Sequence, residues 1–582
     1  MPDWLFRVKV LGMKKMVKRL GLNNRIRMDD KMWEILFFVS LALIAMAAFL
    51  LVGADSYVLF DDSGSYLNME RYVEGVMPLY PLFLRMNRLL FGENIYLQAV
   101  VIEQSVFACL CLIIFTKMLR TRFDLNYLES YIIYLLSLLP FTTDMPDAMT
   151  TQEIVTEGIA YAAFYLFIAV LLKAVWEKSL RDVAFLLLIT LFLAATRSQL
   201  QILFGVCGVI FFYIVLVGQK GSRRVSGDRQ ENAEKTWEAW NSRCRWPVRL
   251  VLGTAGCLII SLAGVWCTSR ISIIYQQSLS RYTQRLQRLE AMEQGGDDTF
   301  ASGEITDETI AEDTPRTSGD QDSENQTVER EQADGSDDPN AGQSQAAVTS
   351  QYTSLIFSRG MYEADYEDYQ LFEDDQMREL YLYLYDVADQ SKRRYVYARP
   401  GLWMWKDIVG GIGSVGVECF YAQNDYYKDR PEISQSNDYE AIRNANQMTI
   451  GITLIKAHWG RLLYHTLMLL PQAFICTVFF QIAPIYLLCH IVTLFLYLSA
   501  LMMMIWAYAD KKVDRAYAEF MSAVLGTNLV MILIISLVFF GQQRYLVYNF
   551  GIFYVVYFLL LMQFWRIYGK NWLMKWIRRR KS

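Results

Sequence analysis

Two adjacent carboxylates, Asp61 and Asp62, stand in the stretch VLFDDSGSYLNM, a few residues past the first long apolar run. Buried together, each raises the other's pKa, because the second ionisation is made against the first charge. One can then take a proton from a hydroxyl group while the other orients it or binds a divalent cation, Mg or Mn. Ser63, Gly64 and Ser65 allow a tight turn at this point. A plainer role is open to Asp62, as N-cap of the segment that follows. The two roles are compatible, since a helix start holds its residues rigidly.

Other polar residues sit where apolar runs end. Glu157 lies in TEGIAYAAF, Arg197 before SQLQ, and Arg544 beside Tyr545, with Arg270 just past another run. Charges at a membrane rim are costly, so each asks for a function. The arginine fork suits a phosphate or pyrophosphate; anchoring by snorkelling is the alternative. Asp144, Asp147 and Glu153 read equally well as ordinary loop polarity. Trp403 and Trp405 are flat apolar faces on which a sugar ring can stack. The nine cysteines are scattered and the three histidines, His458, His465 and His490, form no HExxH or other cluster, so a zinc site is not expected.

The elements that must position these residues are membrane helices. Of 582 residues, 54% are hydrophobic and 20% charged. Apolar runs of about 20 residues match a bilayer core at roughly 1.5 Å rise per residue. Spans are expected near 33–54, 95–117, 128–141, 154–172, 181–196, 199–217 and 250–267, then near 485–506, 520–540 and 545–564. A basic leader, with nine Lys or Arg and three Asp in residues 1–31, marks the N-terminus as cytoplasmic, and its direct run into a full span favours a retained anchor. Residues 566–582 carry seven basic groups and no acid, so the C-terminus is expected on the same side. A further apolar run, 466–482, would invert that tail and place KKVDR (511–515) outside if it crossed. Demoting it to an interfacial or broken helix, as Pro471 suggests, resolves both; keeping it gives eleven spans.

The organisation expected is therefore an all-α polytopic membrane protein, a bundle of about 10–11 helices with an extracytoplasmic segment. Residues 1–32 form a basic cytoplasmic N-terminus. An N-terminal membrane module covers 33–267, with its first outer loop at 55–94. A linker, 268–286, leads to an acidic insertion at 287–350. Residues 291–350 hold 16 acidic and two basic side chains, too polar to bury a core and expected to be disordered. A Tyr/Trp-rich extracytoplasmic region follows at 351–460, then a C-terminal membrane module at 461–565 and a basic tail at 566–582. No feature calls for nucleic acid; the bilayer is the first partner.

The order of these motifs resembles the GT-C class of integral membrane glycosyltransferases, whose members include protein mannosyltransferases and lipid A aminoarabinose transferases. FDDSGSY resembles the acidic motif of that class's first outer loop, with Tyr66 as the following aromatic. LYPLFLRMNRLLFG, with Tyr80 and Pro81, resembles the next part of the loop, and VTEGIAY the acidic position of a later span. LAATRSQLQ resembles a TRP-type corner with Ser198 in place of proline, and QQRYLVYNFGIFY a late RY motif. The resemblance implies a GT-C-like fold and a polyprenyl-phosphate sugar donor. The acceptor would be a hydroxyl of an extracytoplasmic glycan, lipid or wall polymer. Asp62 would be the base and Asp61 its support or a metal ligand. Arg544, Arg197 and Arg270 would hold the donor phosphate. Tyr66, Tyr80, Glu157, Tyr545, Trp403 and Trp405 would bind substrate, and inversion would be the outcome. A polymerase or ligase acting on lipid-pyrophosphate glycans, or a lipid or solute transporter, remain the alternatives.

Overall fold

The computed structural model describes residues 30–51, 57–59, 63–67, 77–142, 151–217, 246–294, 353–400, 404–434, 436, 439–478, 485–538 and 546–569. Among them the chain is helical, with no strand beyond one isolated bridge. The N-terminal helices are α1 (Asp30–Leu51), α2 (Ser63–Leu67), α3 (Leu79–Phe91), α4 (Tyr96–Phe123), α5 (Tyr127–Leu138), α6 (Glu157–Glu177), α7 (Leu180–Thr196), α8 (Leu203–Val217) and α9 (Trp246–Gln294). A second group follows: α10 (353–363), α11 (Asp375–Gln390), α12 (Met404–Lys428) and α13 (Tyr439–Ala457). The chain closes with α14 (Trp459–Val478), α15 (Tyr486–Ala509), α16 (Arg515–Val538) and α17 (Phe550–Phe564).

Eight of the described helices are long and apolar enough to cross a membrane. They coincide with eight of the ten expected spans. The other two, 128–141 and 181–196, form the shorter helices α5, extended by a 3-10 turn, and α7. This is a multi-pass membrane protein by the length and composition of its helices. The stretch 268–286 lies within α9, which runs on as one helix to Gln294. It contains no glycine or proline to stop the helix.

Helix α6 is the hub. Ile159 to Tyr165 are all buried, so it is enclosed on every face. It packs on α4 and α7, and Tyr548 meets its Tyr161 and Phe164 rings. By contrast α1, α9 and α15 expose broad apolar faces, among them Leu50, Leu262 and Phe495. In a bilayer these are ordinary lipid-facing surfaces.

The two ends of the bundle differ. At one end Arg122 forks onto Asp514 at 2.7 and 3.1 Å, Arg566 pairs with Glu129, and Lys173 reaches Asp182 at 2.8 Å. The guanidinium of Arg120 lies 4.1 Å from the Tyr127 ring centre. TKMLRTR, KKVDR and the start of the basic tail therefore gather at one end. That is the arrangement obtained by not counting 466–482 as a span. Helix α14 explains why. Its last residues enter the bundle, where Thr477 bonds Tyr497 at 2.6 Å, and Tyr497 is met by Asn528 at 3.0 Å. Tyr497 and Asn528 both lie near the middle of their helices, so Thr477 sits level with the middle of α15 and α16.

Residues 353–457 build their own core from Phe357, Met361, Leu380, Leu384, Val415, Cys419, Ile450 and Leu454. Helices α10 and α13 touch backbone to backbone: a Cβ on Gly360 would fall 2.9 Å from the Gly451 Cα. The polar face of α14 locks onto this unit. Arg461 binds the Asp365 carboxylate at 2.8 and 3.3 Å, Tyr395 donates to Asp365 at 2.6 Å, and His458 meets Asp368 at 2.7 Å. Deeper in, His465 pairs with the fully buried Glu363 at 2.7 Å, and Arg359 donates to Thr466 at 2.7 Å.

Candidate functional site

The opposite end of the bundle carries the candidate site. Its frame is a join between the first outer loop and the segment 151–157 that leads into α6. The Val58 N–H donates to the Gln152 carbonyl at 3.1 Å, and the Ile154 N–H returns to the Val58 carbonyl at 3.1 Å. Ser63 Oγ donates to the Ile154 carbonyl at 2.9 Å. So the chain is pinned to one short segment on both sides of Asp61–Asp62.

Two consecutive polar residues in α4, Gln104 and Ser105, secure that segment from within the bundle, and their neighbour Glu103 ties α4 to α3. Gln104 is fully buried. Its Nε2 donates to the carbonyls of Thr151 and Glu153, at 3.0 and 3.2 Å, and its Oε1 accepts from the Tyr80 hydroxyl at 3.1 Å. All its amide groups are used, which fixes its orientation. Ser105 bonds Thr151 through their hydroxyls at 2.8 Å, and Asn87 of α3 donates to Glu103 at 3.0 Å. Burial above all, then the neighbouring Tyr66 and Glu153, push the Tyr80 hydroxyl well above its ordinary pKa. It remains a donor at neutral pH. The Tyr66 ring stands edge-on to Tyr80, centroids 5.3 Å apart. Gly158 makes room for this clamp: a Cβ there would lie 2.7 Å from Gln104 Oε1.

Where α6 starts, Glu157 forms a buried ion pair with Arg197. Thr156 joins them, donating to Glu157 at 2.8 Å and accepting from Arg197 at 3.3 Å. Arg197 leaves α7 in an extended conformation while its N–H still bonds Leu193, which makes the corner expected at TRSQ.

Among the expected site residues, Tyr66, Tyr80, Glu157 and Arg197 thus belong to one connected neighbourhood. Arg270 does not join it through any hydrogen bond or ion pair among the described residues. It is exposed on α9, its guanidinium 5.4 Å from the Trp266 ring centre. Trp405 is half-buried and packs in the second unit against the groups around Leu469, Ile475 and Cys489. Asp61, Asp62, Asp144, Asp147, Trp403, Arg544 and Tyr545 lie outside the described residues. Sequence reasoning missed Glu103, Gln104 and Ser105. The signal was present: three adjacent polar residues inside an apolar run are costly unless they are bonded within the bundle.

No three His, Cys, Asp or Glu side chains gather as metal ligands among the described residues. A cavity of about 460 Å³ lies elsewhere, along the Ala441–Lys456 face of α13, and touches none of these residues. No family model, no curated protein and no solved structure matches the chain.

Proposed function

We propose that the protein is a membrane glycosyltransferase that moves a sugar from a polyprenyl-phosphate donor to a hydroxyl of an extracytoplasmic glycan, lipid or wall polymer. One observation carries the reading. Val58 and Ser63, which bracket Asp61–Asp62, both bond the segment that leads directly to the Glu157–Arg197 pair. The described residues on either side of the acidic pair and the charged pair at the head of the central helix are thus joined through one short segment, 151–157. The order of motifs supports a GT-C-like arrangement.

In this reading Asp62 takes the acceptor proton as the hydroxyl oxygen attacks the anomeric carbon. The bond from that carbon to the phosphate oxygen breaks, and its electron pair leaves with polyprenyl phosphate. Attack opposite the leaving group inverts the anomeric centre. Asp61 orients Asp62 or, with it, holds a divalent cation, which would offset charge on the leaving phosphate. Arg544 and Arg270 are the cations assigned to that phosphate. Arg197 is committed to Glu157 and Thr156, so a role on phosphate requires it to leave or share Glu157. Tyr66 lines the approach, Tyr80, fully buried and bonded to Gln104, supports the Tyr66 ring from behind in place of the substrate contact expected for it, and Tyr545 orients sugar or phosphate. Mass spectrometry of purified protein incubated with lipid-phosphate sugars tests the assignment. Release of polyprenyl phosphate supports it, and no release with any donor and acceptor tried counts against it.

A further inference from the structure

Helix α14 has two unlike faces. Arg461, His465 and Thr466 turn inward and, with His458 just before the helix, are bonded to the second unit. The other face is exposed and almost wholly apolar. Trp459 is 66% exposed, Leu463 48%, Tyr464 47%, Leu467 51% and Met468 37%, with Pro471 also exposed. These positions recur at three- and four-residue spacing and make one stripe. From Gln472 onward the helix is buried or half-buried in the bundle.

We infer that this stripe is seated in the bilayer interface at the site end, so that residues 353–457 ride on the membrane surface rather than standing clear of it. The occupant follows from continuity. The last described residues of the same helix lie inside the bundle, level with the middle of α15, where Tyr554 bonds the Val478 carbonyl and Thr477 bonds Tyr497. Half a hydrocarbon core is about 15 Å, or about ten residues at 1.5 Å each. Counting back from Val478 puts Met468 near the hydrocarbon edge. Tyr464 and Leu463 then fall at headgroup level, about 6–8 Å beyond that edge, and a tilt of the helix brings Trp459, about 13 Å along it, toward the same level. Tryptophan and tyrosine favour that level, with an apolar ring body and a polar tip. The exposed stripe holds no charged side chain, while Arg461 and His465 face the other way. An amphipathic segment of this kind lies in an interface.

Photo-crosslinking of the full chain in phospholipid vesicles tests this. Benzoylphenylalanine is placed at Leu463 or Leu467, with Phe495 on the exposed face of α15 as lipid control and the exposed Asp386 of α11 as aqueous control. Phospholipid adducts at 463 and 467, at a yield like that at 495 and several-fold above that at 386, are expected. Yields at the level of 386 overturn the inference, as does crosslinking of 463 or 467 to a second copy of the chain in place of lipid. A further arm uses Leu467→Asp, which should lower the lipid yield at 463 if the stripe inserts; an unchanged yield contradicts insertion.

Discussion

Arg197 and Glu157 form a buried ion pair at the junction of two helices, α7 where it ends and α6 where it begins. Removing one partner leaves the other charge buried, which typically costs about 3–5 kcal/mol. Glu157→Gln and Arg197→Met should each lower the unfolding midpoint in detergent. The double variant Glu157→Gln, Arg197→Met should recover much of the loss, because no charge is left without a partner. A double variant as unstable as the sum of the singles would remove the pair from the account of this corner.

Gly158 owes its identity to Gln104. Gly158→Ala places a methyl group against an amide held by three hydrogen bonds, and overpacking of this kind costs about 1–3 kcal/mol. Adding Gln104→Ala should relieve the clash and make the alanine at 158 nearly neutral. Thermal unfolding of the single and double variants reads this directly; equal effects of Gly158→Ala in both backgrounds would contradict it.

Much of the fold was legible in the sequence because apolar length is a strong signal. Eight runs became helices able to cross a membrane, and the basic flanks at 117–123, 511–515 and 566 came together at one end. The clamp around Gln104 was harder to read. A hydrogen bond from α4 to a carbonyl of residue 151 or 153 leaves no periodic trace. The charge balance was the clue to α14, since only tertiary packing could fix how deep that helix goes. The second unit was least legible: its tyrosines suggested a compact region but not which helices they join.

The depth of α14 has a topological consequence. Cysteines introduced at Lys512 and Thr121 should react with a membrane-impermeant thiol reagent from the same side, and one at Glu93 from the other. If Lys512 and Glu93 are labelled together, α14 crosses the membrane completely and the bundle has one more span.

The Asp365 carboxyl sits below its ordinary pKa. Burial alone would raise it, but hydrogen bonds from Arg461 and Tyr395, with the Arg461 and His458 charges, outweigh that effect. A group depressed in the folded state contributes stability that is full above the ordinary value of 3.8 and is lost as pH falls through the folded value. Acid should therefore loosen the contact between α14 and residues 365–395. Asp365→Asn should be less stable at neutral pH and lose less on acidification, as followed by hydrogen exchange in residues 365–395. An identical pH profile in the variant would rule out this carboxylate as a source of the acid sensitivity.

The central claim is that Asp62 is the base of a glycosyl transfer at the rim framed by Glu157 and Arg197. The direct measurement is release of polyprenyl phosphate by wild-type protein and by Asp62→Asn, with unfolding midpoints recorded for both. Loss of release by a factor of about 100 or more, with the midpoint unchanged, is the predicted result. Full release by Asp62→Asn would contradict it.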